Sequence, residues 1–224
     1  MSDDGKREGM NFGMQDWVDA YRPPVPETFV HRRALADRLA SIGQKLIRAD
    51  ISDAALIALE TQLASIEAGL GNVSHYSHAA QYPDMLAHRA DKKGVMMAFD
   101  YDAVTGLSNP AAPRLHFLLD TSDVEATVTL ESLHEGGPGN AHGGVLAAML
   151  DVVLARIQHR EGWIGVTGYL NVRYLLPTPL YQPLTLKAWA ASRVGRITKV
   201  QGGVWLGDIQ TVSAEAMYVV PRGR

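Results

Sequence analysis

Apolar positions along this chain change their spacing near residue 94, from helical steps to alternation. Leu35, Leu39, Ile42 and Leu46 recur at three- and four-residue intervals, and so do Leu56, Leu59, Leu63, Ile66 and Leu70. Each set predicts an amphipathic helix. Ser52 or Asp53 is the expected N-cap of the second, and Gly69 or Gly71 its stop. Residues 1–30 are polar and end in Arg22-Pro23-Pro24-Val25-Pro26, an irregular or extended lead-in. Beyond residue 95 strands take over. Arg114 to Leu119 is a short apolar run, and Val124, Ala126, Val128 and Leu130 alternate with Glu125, Thr127 and Thr129. Four more strands are predicted over residues 164–176, 183–192, 197–206 and 209–220. Turns at Arg193-Val194-Gly195-Arg196 and Gly207-Asp208 make them an antiparallel meander.

One helix interrupts the strands, over residues 142–160. Val145, Leu146, Met149, Leu150, Val152 and Val153 do not fall on one stripe, so most of its sides are buried. A helix of that kind cannot lie on a flat sheet with one face in water, so the sheet must curl around it. The predicted class is α+β, with about six antiparallel strands around one central helix. The expected division is an N-terminal extension, residues 1–94, and a sheet-and-helix domain, residues 95–224. The two extension helices are expected to pack as a hairpin on the main domain or on a partner chain.

The central helix is also where chemistry concentrates. It is reached through Gly136-Gly137-Pro138-Gly139-Asn140-Ala141 and opens at His142-Gly143-Gly144. A glycine-rich loop feeding a helix presents free N–H groups and the positive dipole end to an approaching anion. Gly144, Ala147, Ala148 and Asp151 share one helix face, a strip of small residues ending in a carboxylate. A charge on an apolar helix needs a reason, either a partner such as an arginine or a role in chemistry. Gly143 and Asp151 are separated by about 12 Å at helical rise. One small reacting group cannot touch both within one chain. If both act, Gly143 of one chain meets Asp151 of another, across an antiparallel pair of these helices.

Composition removes several alternatives. The chain has 224 residues, 46% of them hydrophobic, enough for at least one good core. Its formal charge of −3 gives no global attraction to nucleic acid or an anionic membrane. Without cysteine there is no disulfide, thiolate metal site or thiol nucleophile. No serine stands in a nucleophile-elbow context, which argues against a Ser-His-Asp hydrolase. The start is polar and acidic, and no stretch approaches the roughly 18 apolar residues of a membrane span, so a cytoplasmic protein is expected. His75, His78 and His88 lie in a loop-like segment without supporting carboxylate spacing, so neither metal nor cofactor is expected. His134 reads as a strand-end residue.

The run from Gly136 to Asp151 resembles the signature of hotdog-fold acyl-CoA thioesterases, of the phenylacetate-pathway and thioesterase superfamily member 4 type. Asn171-Val172-Arg173-Tyr174-Leu175-Leu176-Pro177-Thr178-Pro179 resembles that family's third strand and its exit, and the likeness covers about residues 95–220. It implies that the Gly143 amide polarises a thioester carbonyl, that Asp151 of the facing subunit is base or nucleophile, that His142 shapes the loop, and that Thr167 positions water. It also implies a homodimer, or a dimer of dimers, with its sites at the dimer interface. Relatives often carry Asn or Gln six residues before the histidine, where this chain has Gly136, and Asn140 is the candidate to supply that amide. Asn140 and Gly144 are therefore expected on the substrate side of the loop. Between Glu161 and Asp208 there is no acidic residue, while Arg173, Lys187, Arg193, Arg196 and Lys199 are present. Arg193, Arg196 and Lys199 are close enough in sequence to bind the phosphates of coenzyme A. The expected function is hydrolysis of an acyl-CoA. The alternative is a non-catalytic acyl-CoA-binding protein, a sensor or carrier, using the same pocket.

Overall fold

The computed structural model describes residues 25–71, 99–118, 123–161, 163 and 165–221. The three histidines of the conceivable metal site, the lead-in up to residue 24 and the boundary near residue 94 lie outside them. Helix α1 spans Glu27–Arg48 and α2 spans Asp53–Gly69. Strand β1 (His116–Leu118) and β2 (Val124–Thr129) precede a short 3-10 turn at Ser132–His134. Helix α3 (Gly143–Arg160) follows, then β3 (Val166–Tyr174), β4 (Pro183–Val194), β5 (Ile197–Leu206) and β6 (Ile209–Val219).

The strands form one antiparallel sheet in the order β1-β2-β4-β5-β6-β3. This is the expected hotdog arrangement. Helix α3 contacts β2, β3, β4, β5 and β6, so the sheet wraps it. Val124, Ala126 and Val128 of β2, Leu184, Leu186 and Ala188 of β4, and Val212, Ala216 and Tyr218 of β6 close on Leu146, Met149, Leu150, Val153 and Leu154. These side chains are buried because alternation turns every second residue of each strand toward the helix. The predicted meander holds only for β4, β5 and β6. Strand β3 leaves α3, crosses to the far edge and pairs with β6, while β4 pairs with β2. Sequence order did not reveal this, because the crossover depends on the sheet curling around α3.

The N-terminal helices are attached unequally. Helix α1 buries Phe29 and Ala36, and its Arg33 forms an ion pair at 2.7 Å with the fully buried Asp100, which also accepts from Ser108. Asp37 pairs with Arg114, and Gln44 donates to Glu131 just before the 3-10 turn. Helix α2 is N-capped by Ser52 as expected, but it buries none of its residues. Of the hairpin expected to pack on the main domain, only α1 does so among the described residues, and α2 corrects the expectation by burying no residue. Of the helices described, none is long and apolar enough to cross a membrane.

Candidate active site

The loop before α3 is built from its own backbone. Gly136 N–H donates to the Asn140 carbonyl at 2.9 Å, Asn140 N–H to the Gly137 carbonyl, and Gly139 N–H to the Glu135 carboxylate at 2.6 Å. Gly139 takes φ +75°, a region glycine occupies without steric cost. A Cβ at residue 136 would lie 2.7 Å from the His142 Cα. The loop as it closes here leaves no room for a side chain at that position. The Asn140 side-chain amide donates to the Pro138 carbonyl at 3.0 Å, which ties it to the loop. The loop is then tied down at both ends. His142 N–H donates to the His134 carbonyl and Ala141 N–H to the Thr178 carbonyl, each at 2.8 Å.

His142 is the N-cap of α3. Its Nδ1 accepts from Gly144 N–H at 2.9 Å, so the ring nitrogen facing the helix carries no proton. The Gly144 N–H is consumed by this cap, which makes Gly144 a structural member of the loop. The Gly143 N–H finds no acceptor among the described residues. Tyr174 at the end of β3 supports the same turn, its hydroxyl donating to the Gly143 carbonyl at 2.8 Å. Its ring also lies 3.1 Å from where a Cβ at residue 143 would stand. The sequence reading missed Tyr174 as a site residue, although it stands inside the strand segment singled out above. His134 belongs to the 3-10 turn, not a strand end. It is buried, its Nε2 meets the Ala111 carbonyl at 3.2 Å, and desolvation holds its pKa below the ordinary histidine value.

Asp151 lies two turns along α3, half-buried, and neither an arginine nor a backbone N–H of the described residues reaches its carboxylate. Burial without a compensating partner raises its pKa above the ordinary carboxylate value. The small-residue strip is the open face of the helix. Gly144 and Ala148 are exposed and Ala147, Asp151 and Ala155 half-exposed, while the other sides carry the core. The intervening helix is regular, so the separation of about 12 Å between Gly143 and Asp151 stands.

Thr167 sits near the start of β3, exposed, opposite Tyr218 of β6. A bulge at Gly168 follows it, where the register slips and a Cβ would lie 2.7 Å from the Met217 methyl. The three basic residues of the β4–β5 hairpin do not converge. Arg193 stacks over the Trp163 ring at 5.4 Å, and Arg196 donates to the Val220 carbonyl at 2.7 Å. Lys199 points to the opposite face of the sheet from the buried Thr198, and there its charge bears on Glu215. Alternation along β5 separates what proximity in sequence had grouped. Among the described residues no three His, Asp or Glu side chains gather to hold a metal ion.

Comparison with known proteins places this architecture. The family model of the thioesterase superfamily matches residues 138–213, from the glycine loop through most of β6. A crystal structure described as a thioesterase superfamily protein is 31% identical, with a TM-score of 0.68, over 84% of this chain and 90% of its own. A hypothetical thioesterase from Streptococcus pneumoniae TIGR4, solved with coenzyme A, is 20% identical over 49% of this chain and 90% of its own, with a TM-score of 0.45. The PaaI protein from the phenylacetic acid degradation operon of E. coli is 15% identical over 47% of this chain and 82% of its own, with a TM-score of 0.44. On the 31% identity, sustained across most of both chains, the chain belongs to the thioesterase superfamily.

Proposed function

We propose that this protein is an acyl-CoA thioesterase of the phenylacetate-pathway and thioesterase superfamily member 4 type, working in the cytoplasm as a homodimer or a dimer of dimers. The carrying observation is the Gly143 N–H, left without an acceptor at a helix start whose other groups are engaged. A thioester carbonyl gains negative charge as it is attacked, and one preorganised N–H at that oxygen is worth about 3 kcal/mol. The attacking group comes from Asp151 of the facing subunit, as general base for a water oriented by Thr167 or as nucleophile. Burial raises the pKa of this carboxylate, and a carboxylate with a raised pKa is a better base than an ordinary aspartate.

His142 sets the loop and exposes the Gly143 amide, with Asn140 and Gly144 shaping the wall beside the substrate. Arg193 and Arg196 meet the phosphates of coenzyme A. They occupy the hairpin at the end of the sheet where β3 begins, with Lys199 on the opposite face as a weaker, long-range charge. The first 94 residues form an extension and residues 95–224 the catalytic domain. A thiol-release screen over acyl-CoA substrates of graded chain length, with aromatic members, tests the reading. Turnover on at least one supports it. Binding of acyl-CoA without thiol release would make the protein a carrier or sensor.

A further inference from the structure

Two glycines open α3, and glycine loses more conformational freedom on being fixed than any other residue. A free N–H at residue 143 serves a developing charge only if its direction is set beforehand. The two peptide planes on either side of the Gly143 Cα decide that direction. The plane before it carries the N–H. The carbonyl of that plane, from His142, accepts from Val145 N–H at 3.0 Å and Leu146 N–H at 3.1 Å. The plane after it is held at both ends. Its N–H, that of Gly144, donates to His142 Nδ1, and its carbonyl, that of Gly143, accepts from the Tyr174 hydroxyl.

Tyr174 reaches Gly143 from the sheet, 31 residues further along the chain. It ends β3 opposite Val212 of β6, and the next two residues, Leu175 and Leu176, donate their N–H groups to the Thr211 carbonyl. Beyond them the chain runs beside the glycine loop. There the Thr178 carbonyl accepts from Ala141 N–H, and Leu180 N–H donates to the Gly139 carbonyl at 3.0 Å. The segment from Tyr174 to Leu180 thus braces the loop and the helix start at three points. Two of these are backbone to backbone, and only the Tyr174 contact uses a side chain. Tyr174 is 54% exposed, so burial does not account for an aromatic residue here. Three of its atoms lie within 3.3 Å of where a Cβ at residue 143 would stand, so the side chain fills the space that glycine leaves.

We propose that Tyr174 is a positioning residue: by holding the Gly143 carbonyl it removes the rotational freedom of Gly143 and sets the direction of the Gly143 N–H. The inference rests on the thioesterase reading for the role of that N–H, but the brace on the helix start does not. A loosened N–H loses most where charge has built up on the carbonyl oxygen, so its loss falls on the chemical step and not on substrate binding.

The test is Tyr174→Phe, which deletes one oxygen, keeps the ring beside Gly143 and touches no core residue. Amide hydrogen exchange, followed by NMR of nitrogen-labelled protein, reads the brace directly. The Gly144 N–H should exchange about fivefold faster, the worth of one net hydrogen bond. On an acyl-CoA substrate kcat should fall about tenfold with KM unchanged. Unchanged exchange at Gly144 overturns the brace, whatever happens to activity. Faster exchange with unchanged kcat overturns the positioning role. A raised KM with unchanged kcat also overturns it, since Tyr174 would then be a contact to the substrate. If the unsubstituted protein hydrolyses no acyl-CoA at all, the thioesterase reading fails while the exchange rate still decides the brace.

Discussion

At one edge of the sheet β1 runs for three residues, with α1 tied to Arg114 before it and to Glu131 after β2, while at the other β3 runs for nine and its outer side meets no element among those described. The β1 edge is short and bridged by the Arg114–Asp37 pair and the Gln44–Glu131 contact, which blunts it against pairing. The β3 edge has neither proline nor lysine, and most of its residues are exposed. Beside it runs the exposed strip of α3, with Gly144, Ala148 and Asp151. In the proposed dimer, this long bare edge next to a helix face of small residues is the surface that the second copy would meet. In the proposed reading the two sides have separate tasks: the segments flanking β1 and β2 hold the extension, and the bare β3 edge holds the shared site.

The largest effect should come from the bare side. Asp151→Asn keeps shape and removes the base, so turnover should fall about 10²- to 10⁴-fold with the dimer intact, read by thiol release and light scattering. Near-normal turnover would exclude Asp151 as base or nucleophile. The covered side should answer in stability. Asp100→Asn leaves Arg33 facing a neutral group in a buried site, and the loss should be about 3–5 kcal/mol in chemical denaturation. Deleting residues 1–70 removes Arg33 and should also lower stability, while turnover per folded dimer persists. Complete loss of turnover in a folded, dimeric truncation would place chemistry in the extension and break the comparison.

A smaller effect should appear at the hairpin. Arg193→Ala combined with Arg196→Ala should raise KM for acyl-CoA about tenfold with kcat nearly unchanged, because phosphate contacts act alike on ground and transition states. The same acyl group on a short pantetheine-like thiol should be unaffected, and the difference should shrink as salt rises. Equal losses on both substrates would show that the stacked and hydrogen-bonded arginines serve the fold.

The smallest effect is a pH-dependent one. The Asp151 pKa is raised in the folded chain, so ionising it weakens the fold as pH rises through the folded value. Asp151→Asn should therefore melt higher than the unsubstituted protein at neutral pH, the gap closing as pH falls below the ordinary carboxylate range. A gap that grows on acidification would contradict the burial of Asp151.

Much of this was legible in the chain. The spacing of Leu146, Met149, Leu150 and Val153 and the alternation from Val124 to Val128 report burial directly, and burial made the helix and the strands. The helix start at Gly143 was legible because a glycine-rich loop running into an apolar helical stretch marks one. Three features were not. The seat of β3 beside β6 is a property of the closed sheet, and no local pattern encodes it. The link of Asn140 to the Pro138 carbonyl depends on the loop closing over Gly136. Tyr174 shows in sequence only as one more strand residue, and its bond to the Gly143 carbonyl joins positions 31 apart once the sheet has closed on α3. Lys199 is the opposite case, since its parity against Thr198 already assigned it to the other face.

The shared site is tested most directly by mixing two inactive variants. His142 holds a ψ of 130°, which suits a residue before proline, and residue 143 is the first of the helix, where proline is favoured. Gly143→Pro therefore removes the N–H while the helix start survives, with the Tyr174 ring yielding slightly. Combined with Asp151→Asn, subunit exchange creates dimers holding one site with both native groups. A 1:1 mixture that exchanges freely should recover about a quarter of the original turnover, since half the dimers are mixed and each has one intact site of two. Mixed dimers demonstrated by native mass spectrometry that remain inactive would contradict a site built from Gly143 of one subunit and Asp151 of the other.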